Sequence, residues 1–216
     1  MESLKELYRI GPGPSSSHTI APWRAAMLFK EKYKDALSFD VELYGSLSLT
    51  GKGHRTDEIL IQSFKPKPCT IHFRLNWEYK YDNGLIIRAY NERSTEIGKW
   101  TIFSLGGGSI KVLEEEFDFN RKVYPYSNLA EILEETKHLH ITLPQLIFQY
   151  EPHIYDYMSG VLSAMLSAVK KGLESSGVMP GKLQVEKIAK SLYLQALADD
   201  DEDEACDYVD ELLDEI

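Results

Sequence analysis

The chain has 216 residues, of which 43% are hydrophobic, and a formal net charge of −10 at pH 7. This length is sufficient for one domain with its own hydrophobic core and an additional segment. The acidic balance argues against nucleic-acid binding. No apolar run reaches membrane-spanning length and the first residues do not form an export signal, so we expect a cytoplasmic protein that does not bind membranes. The two cysteines, Cys69 and Cys206, indicate no disulfide framework.

The first motif lies at residues 11–19, which read Gly-Pro-Gly-Pro-Ser-Ser-Ser-His-Thr. The Gly-Pro pairs exclude regular structure, and residues 20–34 are compatible with a helix. A helix that begins among hydroxyl side chains presents free N–H groups and the positive end of its dipole, which suits a carboxylate or a phosphate. An extended N-cap is the structural alternative. The candidate binding residues are Ser15, Ser16, Ser17, His18 and Thr19.

The second motif covers residues 43–57, Leu43-Tyr-Gly-Ser-Leu-Ser-Leu-Thr-Gly-Lys-Gly-His-Arg-Thr-Asp57. It follows a predicted strand at 39–44 and precedes a predicted helix at 56–64. His54 therefore lies on a glycine-rich loop, where an imidazole can transfer protons near neutral pH. A solvated or capping histidine is the alternative for this residue.

The third motif is a strand at residues 100–104 followed by Gly106, Gly107 and Gly108. Consecutive glycines can direct their N–H groups toward an anion, or they can form a flexible turn. Further strands are predicted at 69–77 and 84–91. Asn83-Gly84 suits a type I′ turn, so we expect these two strands to form a hairpin.

These elements predict an α+β fold with a mixed sheet and helices on one face over residues 1–125. Residues 126–198 form a C-terminal helical segment, and residues 199–216 form an acidic tail. The predicted helices of this segment are 127–137, 142–150, 152–174 and 184–198. An apolar stripe of Val161, Met165 and Val169 predicts an exposed patch and a homo-oligomer.

Three segments in this order resemble the beta region of the iron–sulfur-dependent L-serine dehydratases: Arg9 to Thr19, Glu42 to Asp57, and Phe103 to Ser109. Ile154-Tyr-Asp-Tyr-Met and Gly172-Leu-Glu-Ser-Ser-Gly-Val-Met-Pro-Gly-Lys-Leu resemble the start of the alpha region in that family. The resemblance covers residues 4 to about 190.

The resemblance implies conversion of L-serine to pyruvate and ammonia with a 4Fe-4S cluster and without pyridoxal phosphate. It also implies that the cluster is held by three cysteines and leaves one iron open to the serine hydroxyl. It assigns substrate binding to Ser15, Ser16, Ser17, His18 and Thr19, and proton transfer to His54. Gly106, Gly107 and Gly108 would form a backbone wall of the same pocket.

The chain departs from this family in its cysteines. The family's cluster cysteines lie in the later alpha region, and neither Cys69 nor Cys206 has ligand spacing. We therefore expect a truncated chain that holds no cluster, is catalytically incomplete alone, and needs an alpha-type catalytic domain or polypeptide. The alternative is a non-catalytic module that binds small anions or amino acids for regulation, like a domain of some 3-phosphoglycerate dehydrogenases, or an inactive truncated relic.

Overall fold

The computed structural model describes residues 1–13, 15–117, 122–179 and 184–199. The chain divides into two compact units. One unit lies within residues 11–119, and the other combines residues 1–10 with the chain from residue 120 onward. The first ten residues, which the sequence division grouped with the first domain, thus pack with the helical segment. Residues 200–216 of the expected acidic tail lie outside the described residues.

The unit within residues 11–119 contains one mixed sheet of five strands. The strands are β1 (Ser38–Gly45), β2 (Cys69–Phe73), β3 (Asn83–Tyr90), β4 (Glu96–Gly106) and β5 (Ser109–Val112). Their order in the sheet is β2-β1-β3-β4-β5. Strands β1 and β2 are parallel, and the remaining pairs are antiparallel. The predicted α+β fold with a mixed sheet is confirmed.

The helices, in chain order, are α1 (Leu4–Leu7), α2 (Ala21–Lys32), α3 (Ser46–Thr50), α4 (Thr56–Phe64), α5 (Leu129–Leu139), α6 (Leu143–Tyr150), α7 (Ile154–Glu174) and α8 (Ala189–Asp199). A π-helical turn, Ser16–Ile20, precedes α2 directly. No helix among the described residues is long and apolar enough to cross a membrane.

The core lies between the sheet and helices α2 and α4. Alternate residues of β1, Phe39, Val41 and Leu43, are fully buried. This follows from the two-residue repeat of a strand, which directs every second side chain to the same face. Phe29 of α2 packs edge-on against Trp100 of β4, with ring centroids 5.1 Å apart. The helices of this unit therefore cover the sheet face that carries the alternating apolar residues.

The predicted hairpin between strands 69–77 and 84–91 is wrong. Strand β2 ends at Phe73 and pairs with β1 on one side, whereas β3 pairs with β1 on the other side. Asn83-Gly84 begins β3 and forms no turn between neighbouring strands. The glycine is needed for packing, because a Cβ at Gly84 would lie 2.1 Å from the ring of Trp77.

Strand β5 was not predicted from the sequence. Gly106, Gly107 and Gly108 form the turn between β4 and β5, with φ angles of 99°, 57° and 79°. All three values lie in the region that favours glycine. Of the two interpretations offered for this motif, the turn describes its backbone conformation.

In the second unit, Glu151 at the end of α6 links the first residues of the chain to the helical segment. Its carboxylate accepts hydrogen bonds from the hydroxyls of Ser3 and Tyr124, and from the backbone N–H of Leu4 at 3.1 Å. Burial alone would raise the pKa of Glu151, but these hydrogen bonds outweigh it and lower the pKa. The contacts explain why residues 1–10 join the helical segment.

The apolar stripe on α7 is only partly exposed. Met165 and Val169 are 57% and 50% exposed, as expected, but Val161 is buried. The prediction that all three residues lie in one exposed patch is therefore wrong for Val161. Val161 lies one helical turn before Met165, and its side chain is directed to the inside of this unit.

Candidate functional site

The first motif forms the start of the helix that includes α2. The side chain of Ser15 accepts a hydrogen bond from the backbone N–H of His18 at 3.2 Å, and so caps the π-helical turn. The hydroxyl of Ser15 thereby has the structural function of an N-cap. Ser16 is exposed, and Ser17 is half-buried.

His18 is held at both ring nitrogens by serine hydroxyls. The Oγ of Ser17 lies 2.9 Å from Nδ1, and the Oγ of Ser46 lies 3.0 Å from Nε2. His18 itself is only 9% exposed. The second motif thus contributes to the environment of the first, because Ser46 begins α3 directly after β1.

His54 lies beside His18, with the two ring centroids 4.6 Å apart. His54 is half-buried and lies between α3 and α4. The site is therefore a pair of imidazoles, one buried and one partly accessible, formed by residues 36 positions apart in the sequence. Such a pair can hold and transfer protons near neutral pH.

Two buried threonines connect the two histidine segments in a reciprocal arrangement. Thr19 donates from its hydroxyl to the backbone carbonyl of His54 at 3.0 Å. Thr56 donates from its hydroxyl to the backbone carbonyl of His18 at 2.6 Å. Each threonine is at most 1% exposed. The two hydrogen bonds fix the relative position of the histidine backbones.

Burial lowers the pKa of His18, and the positive charge that His54 can carry lowers it further. A hydrogen bond with Ser46 acts in the opposite direction and is the smaller effect. His18 is therefore a neutral imidazole at neutral pH, with one nitrogen as donor and the other as acceptor. This state is compatible with serine hydroxyls at both nitrogens.

Glycines shape the second motif through contacts with the chain's own backbone. Gly45 has a φ of +56°, and a Cβ there would lie 2.1 Å from the carbonyl oxygen of Asp82. A Cβ at Gly51 would lie 2.2 Å from the carbonyl oxygen of Leu47. Both positions require glycine because a carbonyl oxygen of the backbone occupies the place of a side chain. This structural requirement explains why the second motif has glycine at residues 45 and 51.

Two functional neighbours were not singled out from the sequence. Ser46 lies within the second motif, but nothing local indicates that it reaches His18. Thr56 was interpreted only as the start of a helix.

Gly106, Gly107 and Gly108 lie in the β4–β5 turn, where Gly106 and Gly107 are exposed and Gly108 is buried. A role for these glycines as a pocket wall stays a prediction.

The residues that the structure describes do not fit a 4Fe-4S cluster. Such a cluster is held by cysteine thiolates, and burial together with the negative charge of Asp40 raises the pKa of the Cys69 thiol to about 12. Cys206 lies outside the described residues. Among the residues that the structure describes, no three His, Cys, Asp or Glu side chains are grouped to hold a metal ion.

Comparison with known proteins shows which sequences this chain is similar to. Residues 3–71 match the model of the family described as serine dehydratase beta chain. The chain is 30% identical to L-serine dehydratase 1 of Escherichia coli over 93% of its own length and 55% of that protein. It is 27% identical to the L-serine dehydratase of Haemophilus influenzae over 89% of its length and 54% of that protein.

A third relative is the L-serine dehydratase of Helicobacter pylori, with 27% identity over 88% of the chain and 53% of the relative. The resemblance inferred from the three motifs is confirmed, since these relatives and the beta-chain match agree with it. The chain spans about half the length of these relatives.

Proposed function

We propose that this chain supplies the substrate-binding beta region of an L-serine dehydratase. The observation that carries the proposal is the pair of His18 and His54, which belong to two of the three family-like motifs and lie 4.6 Å apart. The names of the relatives support L-serine as the substrate.

The proposed reaction is elimination followed by hydrolysis. A base removes the α-proton of L-serine, and the β-hydroxide leaves with a proton as water. The 2-aminoacrylate formed tautomerises to an imine, which water hydrolyses to pyruvate and ammonia. One group must therefore accept a proton and one must supply a proton, and histidine can do both near neutral pH.

We assign the proton transfer to His54 and a binding role to His18. Serine hydroxyls already engage both ring nitrogens of His18, and its lowered pKa keeps it neutral. Among the described residues, none hydrogen-bonds to the ring nitrogens of His54, so these remain available to a substrate. A neutral imidazole does not repel the substrate ammonium group, and His18 orients the hydroxyls of Ser17 and Ser46 through its two ring nitrogens.

The serine-rich turn is the proposed position for the substrate carboxylate. Ser15 caps the turn and Thr19 holds His54, so both residues support the site through the backbone. Ser16 and Ser17 lie in the first turn, where backbone N–H groups and hydroxyls favour an anion. In this assignment, Ser16 and Ser17 contact the carboxylate, and Gly106 to Gly108 border the same pocket.

The cofactor expected from the resemblance, a 4Fe-4S cluster, is proposed to be held by cysteines outside this sequence. A cluster with an open iron supplies Lewis-acid chemistry for a departing hydroxide. The proposed complete enzyme combines this region with an alpha-type catalytic part, works in the cytoplasm as a homo-oligomer, and uses no pyridoxal phosphate.

The experiment is a turnover assay under anaerobic conditions after reconstitution with iron and sulfide. We expect no pyruvate from L-serine with residues 1–216 alone, and pyruvate once a cysteine-bearing alpha polypeptide of a relative is added. Pyruvate formation by residues 1–216 alone would contradict the proposed division of the site. Failure of every relative's alpha polypeptide to give turnover, with L-serine binding retained, would favour the regulatory module.

A further inference from the structure

A buried hydroxyl lies at the end of β4 and has no partner in the arrangement described above. Ser104 is 6% exposed, and its Oγ has no hydrogen-bond partner among the described residues. Buried polar side-chain atoms in native proteins nearly always have a partner, from the protein or from a bound molecule. An unpartnered Oγ therefore calls for a ligand or a water.

A second unpartnered atom lies opposite Ser104 on the neighbouring strand. Gly84 of β3 pairs with Phe103 of β4, so the antiparallel register places Asn83 opposite Ser104. The Oδ1 of Asn83 is also buried and has no hydrogen-bond partner among the described residues. Two polar atoms that lack partners thus occupy adjacent positions at the same end of the sheet.

Both side chains lie on the sheet face that the helices cover. Residues separated by two or four positions along a strand lie on the same face of the sheet. Ser104 is separated in this way from Trp100 and Ile102, and Asn83 from Leu85. Trp100, Ile102 and Leu85 belong to the core under the helices. Neither unpartnered atom lies on the face that carries Glu42.

The same end of the sheet holds the histidine pair. Gly45, the last residue of β1, pairs with Asn83. The next residue, Ser46, contacts Nε2 of His18 at 3.0 Å. The π-helical turn that carries His18 also lies against β4. Asn83 and Ser104 therefore lie at the end of the sheet from which Ser46 reaches His18.

We propose that Asn83 and Ser104 form a subsite for the α-ammonium group of an amino acid, next to His18. This inference rests on the proposed function and names the group that selects the substrate. An amide Oδ1 is only an acceptor, and a serine Oγ can accept as well as donate. An ammonium group carries three donors, so it satisfies both atoms, whereas the hydroxyl of a 2-hydroxy acid carries one.

The subsite predicts discrimination between amino acids and their hydroxy analogues. A site built to hydrogen-bond a substrate N–H group rejects an analogue that lacks it, because the buried acceptors are then left unpaired. The chain is therefore expected to bind L-serine more tightly than glycerate, in which a hydroxyl replaces the ammonium group. In this proposal, the selectivity arises from Asn83 and Ser104.

The test is calorimetric titration of the full chain with L-serine, L-alanine and glycerate. In Ser104→Ala and Asn83→Ala, we expect the affinity for both amino acids to fall by about tenfold or more, and that for glycerate by less than about twofold. Asn83→Asp keeps an acceptor and is expected to retain the preference for amino acids. Ser63→Ala, which removes a buried hydroxyl bonded within α4, is the matched control and leaves all affinities unchanged.

The outcomes separate this inference from the proposed function. Unchanged L-serine affinity in Ser104→Ala and Asn83→Ala would overturn the subsite and assign both atoms to buried water, even if the complete enzyme turns L-serine over. An equal loss for glycerate would also overturn it, because the effect would then be structural. Selective loss of amino-acid affinity, without any dehydration of L-serine in the complete system, would keep the subsite and overturn the proposed function.

Discussion

The hydroxyl of Thr56 donates to the backbone carbonyl of His18 across 2.6 Å, and Thr56 itself is fully buried. The first residue of α4 thereby holds the segment that carries His18, while Thr19 holds the carbonyl of His54 in return. A buried carbonyl loses its partner if either hydroxyl is removed. The geometry of the histidine pair therefore depends on two threonines that need not touch a ligand.

Replacing Thr56 by Val removes that hydroxyl with little change in side-chain volume. We expect the free energy of unfolding to fall by about 1–3 kcal/mol, because the His18 carbonyl stays buried without its partner. Urea unfolding measures the change. Thr50→Val is the matched control, since Thr50 is exposed and its hydroxyl donates to the Ser46 carbonyl within α3. Equal effects of the two substitutions would contradict the role of Thr56.

The titration of His18 reports the coupling between the two imidazoles. Because burial and His54 both lower its pKa, its midpoint by NMR should lie below the usual value of about 6.5. His54→Gln removes the charge of the neighbour and should raise the midpoint. His138→Gln, at an exposed position in another part of the chain, should leave it unchanged. A midpoint that does not move in His54→Gln would contradict the coupling.

The sign of the stability change follows from the same shift. The folded state binds a proton on His18 less readily than the unfolded state does. The contribution of His18 to the free energy of unfolding is therefore fully present above about pH 6.5, and it decreases as the pH falls below that value. Urea midpoints measured between pH 7.5 and 5.5 should fall less in His18→Gln than in the unmodified chain. An equal or larger fall in His18→Gln would contradict the sign.

Glu42 should give a second loss of stability at lower pH. Its carboxylate contacts Arg88 at 2.5 Å and Arg74 at 3.2 Å. Burial alone would raise the pKa of Glu42, but Arg88, with Tyr44 and Arg74, lowers it. This stabilisation is present above the pKa of an unfolded glutamate, about 4.3, and is lost as the pH falls through the lower folded value.

Glu42→Gln should therefore lower the free energy of unfolding by about 1.5–3 kcal/mol at pH 7 and flatten its pH dependence below pH 5. Glu31→Gln is the control, since Glu31 is 73% exposed in its ion pair with Lys34. Exposed pairs of this kind contribute about 0–1 kcal/mol. A loss no larger than that of Glu31→Gln would contradict the account of Glu42.

Gly45→Ala tests the turn that places Ser46 next to His18. The added Cβ would meet the carbonyl oxygen of Asp82, and φ is positive at this residue. We expect destabilisation of at least about 1–3 kcal/mol from backbone strain. Gly160→Ala, where a Cβ meets nothing within 4 Å in the interior of α7, should be neutral or stabilising. Thermal unfolding distinguishes the two variants.

Local patterns in the sequence were enough to predict most helices and strands. Alternating apolar residues indicated β1, and helical spacing with caps indicated α2 and α4. The pairing of strands was not predictable in the same way, because it is set by contacts between distant residues. Asn83-Gly84 has the sequence of a turn, yet Gly84 is required by the ring of Trp77, and that contact depends on the whole sheet.

The candidate site shows the same limit. His18 and His54 stood out because each lies in an unusual local motif. The serine that contacts His18 from α3 and the threonine that holds its carbonyl were not identified, because their roles arise only when β1 and α4 bring them near. Asn83 was interpreted only as part of a turn and Ser104 only as part of the third motif, because the sequence does not show that two buried atoms lack partners.

The turnover number of the reconstituted enzyme with His54→Ala tests the central claim most directly. The chain is combined with a cysteine-bearing alpha polypeptide, and pyruvate formation is measured over a range of L-serine concentrations. If His54 transfers the proton, kcat falls by about 100-fold or more, and KM changes by less than about threefold. His138→Ala, the matched control, keeps full activity. A kcat in His54→Ala equal to that of the control would contradict the claim.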